Sequence, residues 1–359
     1  KRGFIYLCYM NIFEDKAMNT TSIESFGEFG LIDHLTKDIK TKNESSVFGI
    51  GDDAAVIDIG DKYQLMSTDL LIEGVHFNLA YTPLKHLGYK TVAVNVSDIC
   101  AMNGKAKQIT VALAISNRFT VEALDDLYSG IYLACEQYGV DLVGGDTTSS
   151  TTGLMISITV LGEVEKKKIT YRSGAKVNDL VVCTGDLGGA YLGLQLLKRE
   201  KEMFVNNPTI QPDLKGNDYA LKRQLKPEAA VKYIDILKEI EIIPTSMIDI
   251  SDGLSSEVLH LAKASNVGIT LHEDKIPIDY TIMNLADELK INPIVCALSG
   301  GEDYELLFTI SQAHYDKLKK DADFTIVGYV TDASEGNNFI ARNGVSYPLT
   351  AQGWDAMKK

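Results

Sequence analysis

The stretch Gly49-Ile50-Gly51-Asp52-Asp53-Ala54-Ala55-Val56 sets two adjacent carboxylates between small residues and an apolar run. Its glycines let the backbone turn tightly and let another group approach closely. From Asn43 to Leu84 there are seven acidic residues (Glu44, Asp52, Asp53, Asp58, Asp61, Asp69, Glu73) and one basic residue, Lys62. Local ion pairs cannot neutralise that set, so bound divalent metal is expected, and hard oxygen ligands suit Mg²⁺ or Ca²⁺. The pattern recurs at Asp98, at Asp146 in Gly144-Gly145-Asp146-Thr147-Thr148, and at Asp249 and Asp252 around Ser251. From Phe119 to Glu165 there is no Lys or Arg at all. A single Asp in a turn is ordinary turn chemistry. Asp53, Asp69, Asp98, Asp146, Asp249 and Asp252 together, without local cations, point to a multi-metal site with an anionic ligand. Phosphoryl transfer fits such a site best, because its transition state asks for charge neutralisation and in-line positioning more than covalent help. No Ser-His-Asp arrangement, Cys-His pair or protein-kinase signature is present.

These residues need elements to hold them. Apolar spacing predicts a helix over Phe26–Ile39, with Phe29, Ile32, Leu35 and Ile39 on one face. A short strand over Val47–Ile50 enters the Asp-Asp turn. Ala55–Ile59 and Tyr63–Ser67 read as a hairpin around Gly60-Asp61 that delivers Ser67-Thr68-Asp69. Leu70–Phe77 continues extended and carries Glu73 and His76. Pro83–Met102 is a helix begun by proline. It is apolar nearly all round, yet Thr91, Asn95 and Asp98 share one stripe. Such a stripe is either a hydrogen-bonded core network or a surface for water, ions or ligand. Gln108–Ile115, Val140–Val143 and Leu154–Val164 read as strands, with an amphipathic helix over Val121–Tyr138. Further on, strands are expected at Asp179–Thr184, Met247–Ile250, Glu305–Ile310 and Phe324–Val330. Helices are expected at Ala190–Lys198, Glu228–Ile240 and Leu254–Ala264, with a mobile polar loop over Glu200–Asn217. Gly185-Asp186-Leu187-Gly188-Gly189, between strand and helix, can hold a phosphate or be plain turn chemistry. It lacks the Lys-Ser/Thr of a P-loop.

The 359 residues suit two domains of ordinary size, and 45% hydrophobic content suits real cores. A net charge of −14 argues against nucleic acid or an anionic membrane as main partner. No uninterrupted apolar run reaches transmembrane length. Cys8, Cys100, Cys135, Cys183 and Cys296 stand singly within apolar runs, which reads as reduced thiols in a cytoplasmic protein. Residues 1–22 are expected to be a non-essential extension, with Met18 as the functional start. A change of composition at Lys166-Lys167-Lys168 divides an N-terminal domain, 23–165, from a C-terminal α/β domain, 166–359.

GIGDDA (Gly49–Ala54), Ser67-Thr68-Asp69 with His76, VNVSD (Val94–Asp98), GGDTT (Gly144–Thr148), TYRSGAK (Thr170–Lys176), IDISDGL (Ile248–Leu254) and SGGEDYE (Ser299–Glu305) stand in this order along the chain. The set resembles the motifs of the thiamine-monophosphate kinase family, within the superfamily of aminoimidazole ribonucleotide synthetase. The resemblance covers about Glu28 to Trp354. It implies an α/β (α+β) fold of two domains, the N-terminal one pairing with its copy in a homodimer around a β-barrel core. It implies ATP-dependent phosphorylation of thiamine monophosphate to thiamine diphosphate with several Mg²⁺ ions. Carried over by motif, Asp53, Ser67, Thr68, Asp69, Asp98, Asp146, Asp249 and Asp252 would hold metal. Tyr128, Gly145, Asp146, Arg172 and Ser251 would contact ATP. His76, Glu302 and Trp354 would contact the acceptor, Glu302 through the charge of the thiazolium and Trp354 by stacking. On their own, His76 reads as a surface strand histidine and Glu302 as a turn carboxylate. No single catalytic acid or base is expected, because the acceptor phosphate is already ionised. The alternatives are another ATP-using member of the superfamily, a Mg²⁺-dependent phosphohydrolase, or a non-catalytic ion- or nucleotide-binding protein.

Overall fold

The computed structural model describes residues 21–319 and 323–351. The described part of the first unit, up to Lys40, holds a short 3₁₀ turn, Ile23–Ser25, and helix α1, Gly27–Thr36. That helix is shorter at both ends than the apolar spacing predicts.

The second unit begins at Thr41 and is built on two sheets. Strands β1 (Ser46–Phe48), β2 (Ala55–Asp58) and β3 (Lys62–Ile72) lead into helix α2 (Leu84–Ala101). Strand β4 (Lys105–Ile115), helix α3 (Val121–Tyr138) and strand β5 (Asp141–Ser149) form a parallel crossover, and β6 (Met155–Glu165) closes the run. The order is β1-β2-β3-β6-β4-β5, all antiparallel except β4 with β5. The β3–β6 ladder is continuous from Lys62↔Glu165 to Ile72↔Met155. Alternation along β3 decides what each side chain meets. Leu65 and Leu71 are buried, whereas Met66 and Leu70 are 40% and 51% exposed on the other face.

Helix α2 is the buried spine of this half. Leu87, Val92, Val96 and Ile99 are fully inaccessible. It crosses α3 at glycines. A Cβ on Gly88 would stand 2.0 Å from the Leu127 carbonyl oxygen, and one on Gly130 would stand 1.9 Å from that of Lys85. Helix α3 starts at a Thr120 cap whose hydroxyl accepts from the Ala123 N–H, and it stops at Gly139, φ 64°.

The second sheet is made from β7 (Leu180–Thr184), β8 (Ser246–Asp249), β9 (Gly268–His272), β10 (Leu306–Ile310), β11 (Phe324–Thr331), β12 (Asn338–Ile340) and β13 (Ser346–Pro348). Its order is β13-β12-β9-β11-β7-β10-β8. Its helices are α4 (Gly189–Asn206), α5 (Asp218–Leu225), α6 (Val231–Glu239), α7 (Leu254–Ser265), α8 (Tyr280–Leu289), α9 (Pro293–Ser299) and α10 (Tyr315–Leu318). Strand β7 is buried on both faces. Val182 joins the core shared with the first sheet, while Val181 and Cys183 join a second core with Ile248, Leu254 and Val258.

Two expectations change. The segment after Leu70 does not stay extended: β3 ends at Ile72, and Gly74 (φ 84°) turns the chain back. Residues 200–217 are not one loop. α4 runs on to Asn206, and buried Glu200 is held by Arg199 at 2.9 Å and by the Asp213 N–H at 2.8 Å. Among the described residues the six-stranded sheet is open, with edges at β1 and β5. Among the described residues no helix is long and apolar enough to cross a membrane.

Candidate active site

The Asp-Asp turn is possible because Gly51 takes φ 118°, a region closed to side chains with a Cβ. It presents Asp53, which is 8% exposed. Arg172 Nη2 donates to Asp53 Oδ1 at 2.6 Å, and the Arg172 backbone N–H donates to Asp52. Asp53 Oδ2 is buried with no hydrogen-bond partner. Helix α2 brings Asp98, whose Oδ2 accepts from Ser67 Oγ of β3 at 2.5 Å. Strand β8 ends on Asp249, whose Oδ2 accepts from Ser97 Oγ at 2.6 Å. Asp53, Asp98 and Asp249 each offer an oxygen within 4.8 Å of the others. They come from a turn, a helix and the end of a strand.

Burial and mutual repulsion act on these acids. Burial first, then repulsion from Asp69, Asp249 and Asp53, holds the Asp98 carboxyl well above the usual range. The same causes push Asp249 up to about 7, and burial pushes Asp69 up to about 6. An all-oxygen donor set with an unpartnered buried carboxylate oxygen fits a hard divalent cation.

The group opens on a cavity of about 150 Å³ lined by Asp69, His76, Asp98, Asp249, Ser251 and Glu302, with Tyr304. The turn at Gly74 brings His76 back so that its Nδ1 accepts the Ile72 N–H at 3.0 Å. Burial lowers the His76 imidazole from its ordinary value. The SGGEDYE loop supplies Glu302 and Tyr304 in left-handed conformations, φ 59° and 53°. Such strain persists only where the surroundings impose it. Here the N–H groups of both residues donate to the Ser251 and Ile250 carbonyls at 2.7 and 2.9 Å.

A second cavity, of about 390 Å³, is lined by Val111, Tyr128, Leu142, Gly144, Gly145, Asp146 and Thr147. Gly145 is required there, because a Cβ would lie 1.9 Å from the Val111 carbonyl oxygen of β4. Tyr128, Gly145 and Asp146 therefore form a group of their own, apart from the three clustered aspartates.

The expected set is thus divided. The Thr68 hydroxyl faces away from Ser67 and Asp69, donating to the Ile158 carbonyl at 3.0 Å and accepting from Thr159 Oγ1 at 3.2 Å. Asp252 stands by buried Glu257, which accepts its backbone N–H at 2.9 Å, and it is not in the three-aspartate group. Trp354 lies outside the described residues. The polar stripe on α2 splits as well. Thr91 is core network, bonded to the Gly88 carbonyl; Asn95 donates to the Thr91 carbonyl and accepts the Asp69 N–H at 3.2 Å, and Asp98 reaches the cavity itself.

Neutralisation by distant cations corrects the sequence argument. Lys166 pairs with Asp58 at 2.6 Å, Arg118 with Glu73, and Arg172 with Asp53. Glu302 is not a lone carboxylate either. Lys90 Nζ lies 2.6 Å from Oε1, and Gln224 Nε2 donates to Oε2 at 2.8 Å. The glycine loop before α4 holds a carboxylate of its own chain: the Gly188 N–H donates to Asp303 Oδ2 at 2.9 Å. That occupies the position a phosphate would need. Lys90 and Gln224 lie outside every motif, whereas Ser97 and Tyr304 stand inside VNVSD and SGGEDYE without an assigned role. Lys90 is one of two lysines of α2 and the buried one, Lys85 being exposed.

Residues 51–164 match the AIR synthase related protein, N-terminal domain, and residues 176–339 match its C-terminal domain. The thiamine-monophosphate kinase of Bacillus subtilis (strain 168) is 36% identical over 341 residues, covering 92% of this chain and 99% of the relative. That of Aquifex aeolicus (strain VF5) is 35% identical over 311 residues, covering 86% and 93%. The solved structure "AaThiL complexed with AMPPCP and TMP" superposes with a TM-score of 0.81 at 33% identity, covering 94% of this chain and 99% of that one. With its two AIR synthase related domains and these near-full-length relatives, the chain belongs to the thiamine-monophosphate kinase family.

Proposed function

We propose that the chain transfers the γ-phosphoryl group of ATP in line to the phosphate of thiamine monophosphate, giving thiamine diphosphate and ADP. The observation that carries this reading is the group of three carboxylates within 4.8 Å, two buried and Asp98 half-buried, beside a cavity that also holds His76 and Glu302. Asp53, Asp69, Asp98 and Asp249 would hold Mg²⁺, with Ser67 and Ser97 fixing the rotamers of Asp98 and Asp249. Bound Mg²⁺ would neutralise the polyphosphate and the charge that develops on transfer. Arg172 sets Asp53 in place and would offer a cation to a phosphate. Tyr128, Gly145 and Asp146, already grouped around a cavity, would form a nucleotide subsite. Ser251, on the metal-side cavity, would meet the phosphates, and His76 and Glu302 the acceptor. The acceptor is an ionised phosphate, so no residue has to remove a proton from it.

The protein would work as a homodimer in the cytoplasm. The uncovered face of the six-stranded sheet, with Met66 and Leu70 exposed, supports pairing with a second copy. The deciding experiment measures ADP release from Mg²⁺-ATP with and without thiamine monophosphate, and thiamine diphosphate by chromatography. Acceptor-dependent ADP with matching diphosphate is the expected result. ADP without acceptor would instead mark a phosphohydrolase, and no ADP at all a binding protein.

A further inference from the structure

Glu302 is held from two sides by groups outside every motif. Lys90 comes from α2, and its side chain is 3% exposed. Its ammonium lies 2.6 Å from Glu302 Oε1 and donates to the Gln224 carbonyl at 3.2 Å. Gln224 comes from α5, is itself buried, and gives its amide N–H to Glu302 Oε2 at 2.8 Å. Both carboxylate oxygens are therefore engaged by protein donors. The neighbouring Arg223 fixes the same loop from below, pairing with Glu305 at 2.8 Å and donating to the Asp186 carbonyl at 2.8 Å. Glu302 thus keeps its left-handed backbone and its side-chain direction through contacts from α2, α5 and the Ser251 carbonyl.

The consequence is electrostatic. A lone carboxylate would attract a cationic ring by its charge. Glu302 meets the cavity with its charge already balanced by a buried ammonium, and an ion pair presents an oriented dipole rather than a net charge. We propose that Lys90 and Gln224 are positioning residues for the acceptor site. They fix Glu302 as an oriented hydrogen-bond acceptor, so that the site selects its substrate by donor geometry rather than by net charge. The proposal rests on the reaction proposed above, in which Glu302 meets the acceptor.

Lys90 and Gln224 do not line the cavity, so they act through Glu302, and that makes the idea testable by coupling. Wild-type protein, Lys90→Met, Glu302→Gln and the double variant are compared for KM of thiamine monophosphate, KM of ATP and kcat. Lys90→Met is expected to raise the acceptor KM tenfold or more and leave the ATP KM within twofold. The double variant is expected to match Glu302→Gln alone. Multiplicative effects in the double variant, or equal rises in both KM values, would overturn the positioning role. Should Lys90→Met fail to fold, Gln224→Leu reads the same coupling from the other partner, with the same two outcomes. Wild-type protein without acceptor-dependent ADP release overturns the proposed reaction and this inference together. Wild-type turnover with uncoupled variants overturns only the inference.

Discussion

At the residue scale the site is a set of carboxylates that repel one another. Asp249 is buried and Asp98 half-buried; Asp249 raises the tendency of Asp98 to hold a proton, and Asp53 and Asp69 raise that of Asp249. The metal-free site is therefore less stable than an apolar or amide-filled one would be, and function is what retains it. Asp98→Asn should abolish most Mg²⁺-dependent turnover, by about a hundredfold or more. The same change should raise the metal-free melting temperature by about 2 °C, for a gain of roughly 1 kcal/mol. Scanning fluorimetry in EDTA checks the second outcome, and a less stable variant would contradict the repulsion argument. The pH dependence has a definite sign. Asp69 and Asp249 titrate near 6 and 7 when folded, above their ordinary value of 3.8. Between pH 4 and 7 these two acids hold more protons in the folded metal-free protein than in the unfolded chain, so their contribution to stability falls as pH rises through that window. Mg²⁺ competes with those protons. Its stabilising shift in melting temperature should be small at pH 5.5 and clearly larger at pH 8, and equal shifts at the two pH values would show that other groups bind the metal.

At the element scale α2 does most of the positioning. It carries Lys90, Ser97 and Asp98, and its place is set by the glycine crossing with α3. Adding one methyl at Gly130 puts Cβ 1.9 Å from a backbone carbonyl that has no rotamer to move into. Overpacking of this kind costs about 1–3 kcal/mol and sometimes more. The helix-propensity gain of Gly→Ala is about 1 kcal/mol, so the clash wins. Gly130→Ala should lower the melting temperature by several degrees and reduce turnover together, because Asp98 shifts with the helix. A more stable Gly130→Ala would mean that the helices separate freely. The sequence announces α2, α3 and the strands that end in Asp motifs, since long apolar periods and glycine turns are local signals. It does not announce α5, which is only eight residues long and mostly polar. It also leaves hidden the pairing of Lys90 with Glu302, and the return of His76, which follow from how distant elements meet. Reading 200–217 as a loop fails for a related reason: its charges look solvated, yet Glu200 is buried against Arg199 and the Asp213 amide.

At the scale of the whole molecule the site is a seam. Asp53 and Asp98 belong to the half built on the first sheet and Asp249 to the half built on the second, and Ser97–Asp249 and Arg172–Asp53 cross between them. Sequence motifs name both halves of that seam, because each Asp sits within two residues of a glycine or serine. What they leave open is which oxygens converge: Thr68, next to Asp69, points to the opposite face because strand side chains alternate. That opposite face carries the homodimer proposal. It combines exposed Met66 and Leu70 with the threonine and serine hydroxyls of β3 and β6, and a chain of net charge −14 has every electrostatic reason to remain dispersed unless such a face drives association. In a two-fold dimer each substitution occurs twice at the interface. Met66→Glu would bury two unpaired carboxylates, each costing several kcal/mol unless water enters. Light scattering after size exclusion should show a dimer for the wild-type chain and a monomer for Met66→Glu at micromolar concentration. A variant that stays dimeric would move the contact off this face, and a monomeric wild type would leave the six-stranded sheet as a face that no second copy covers.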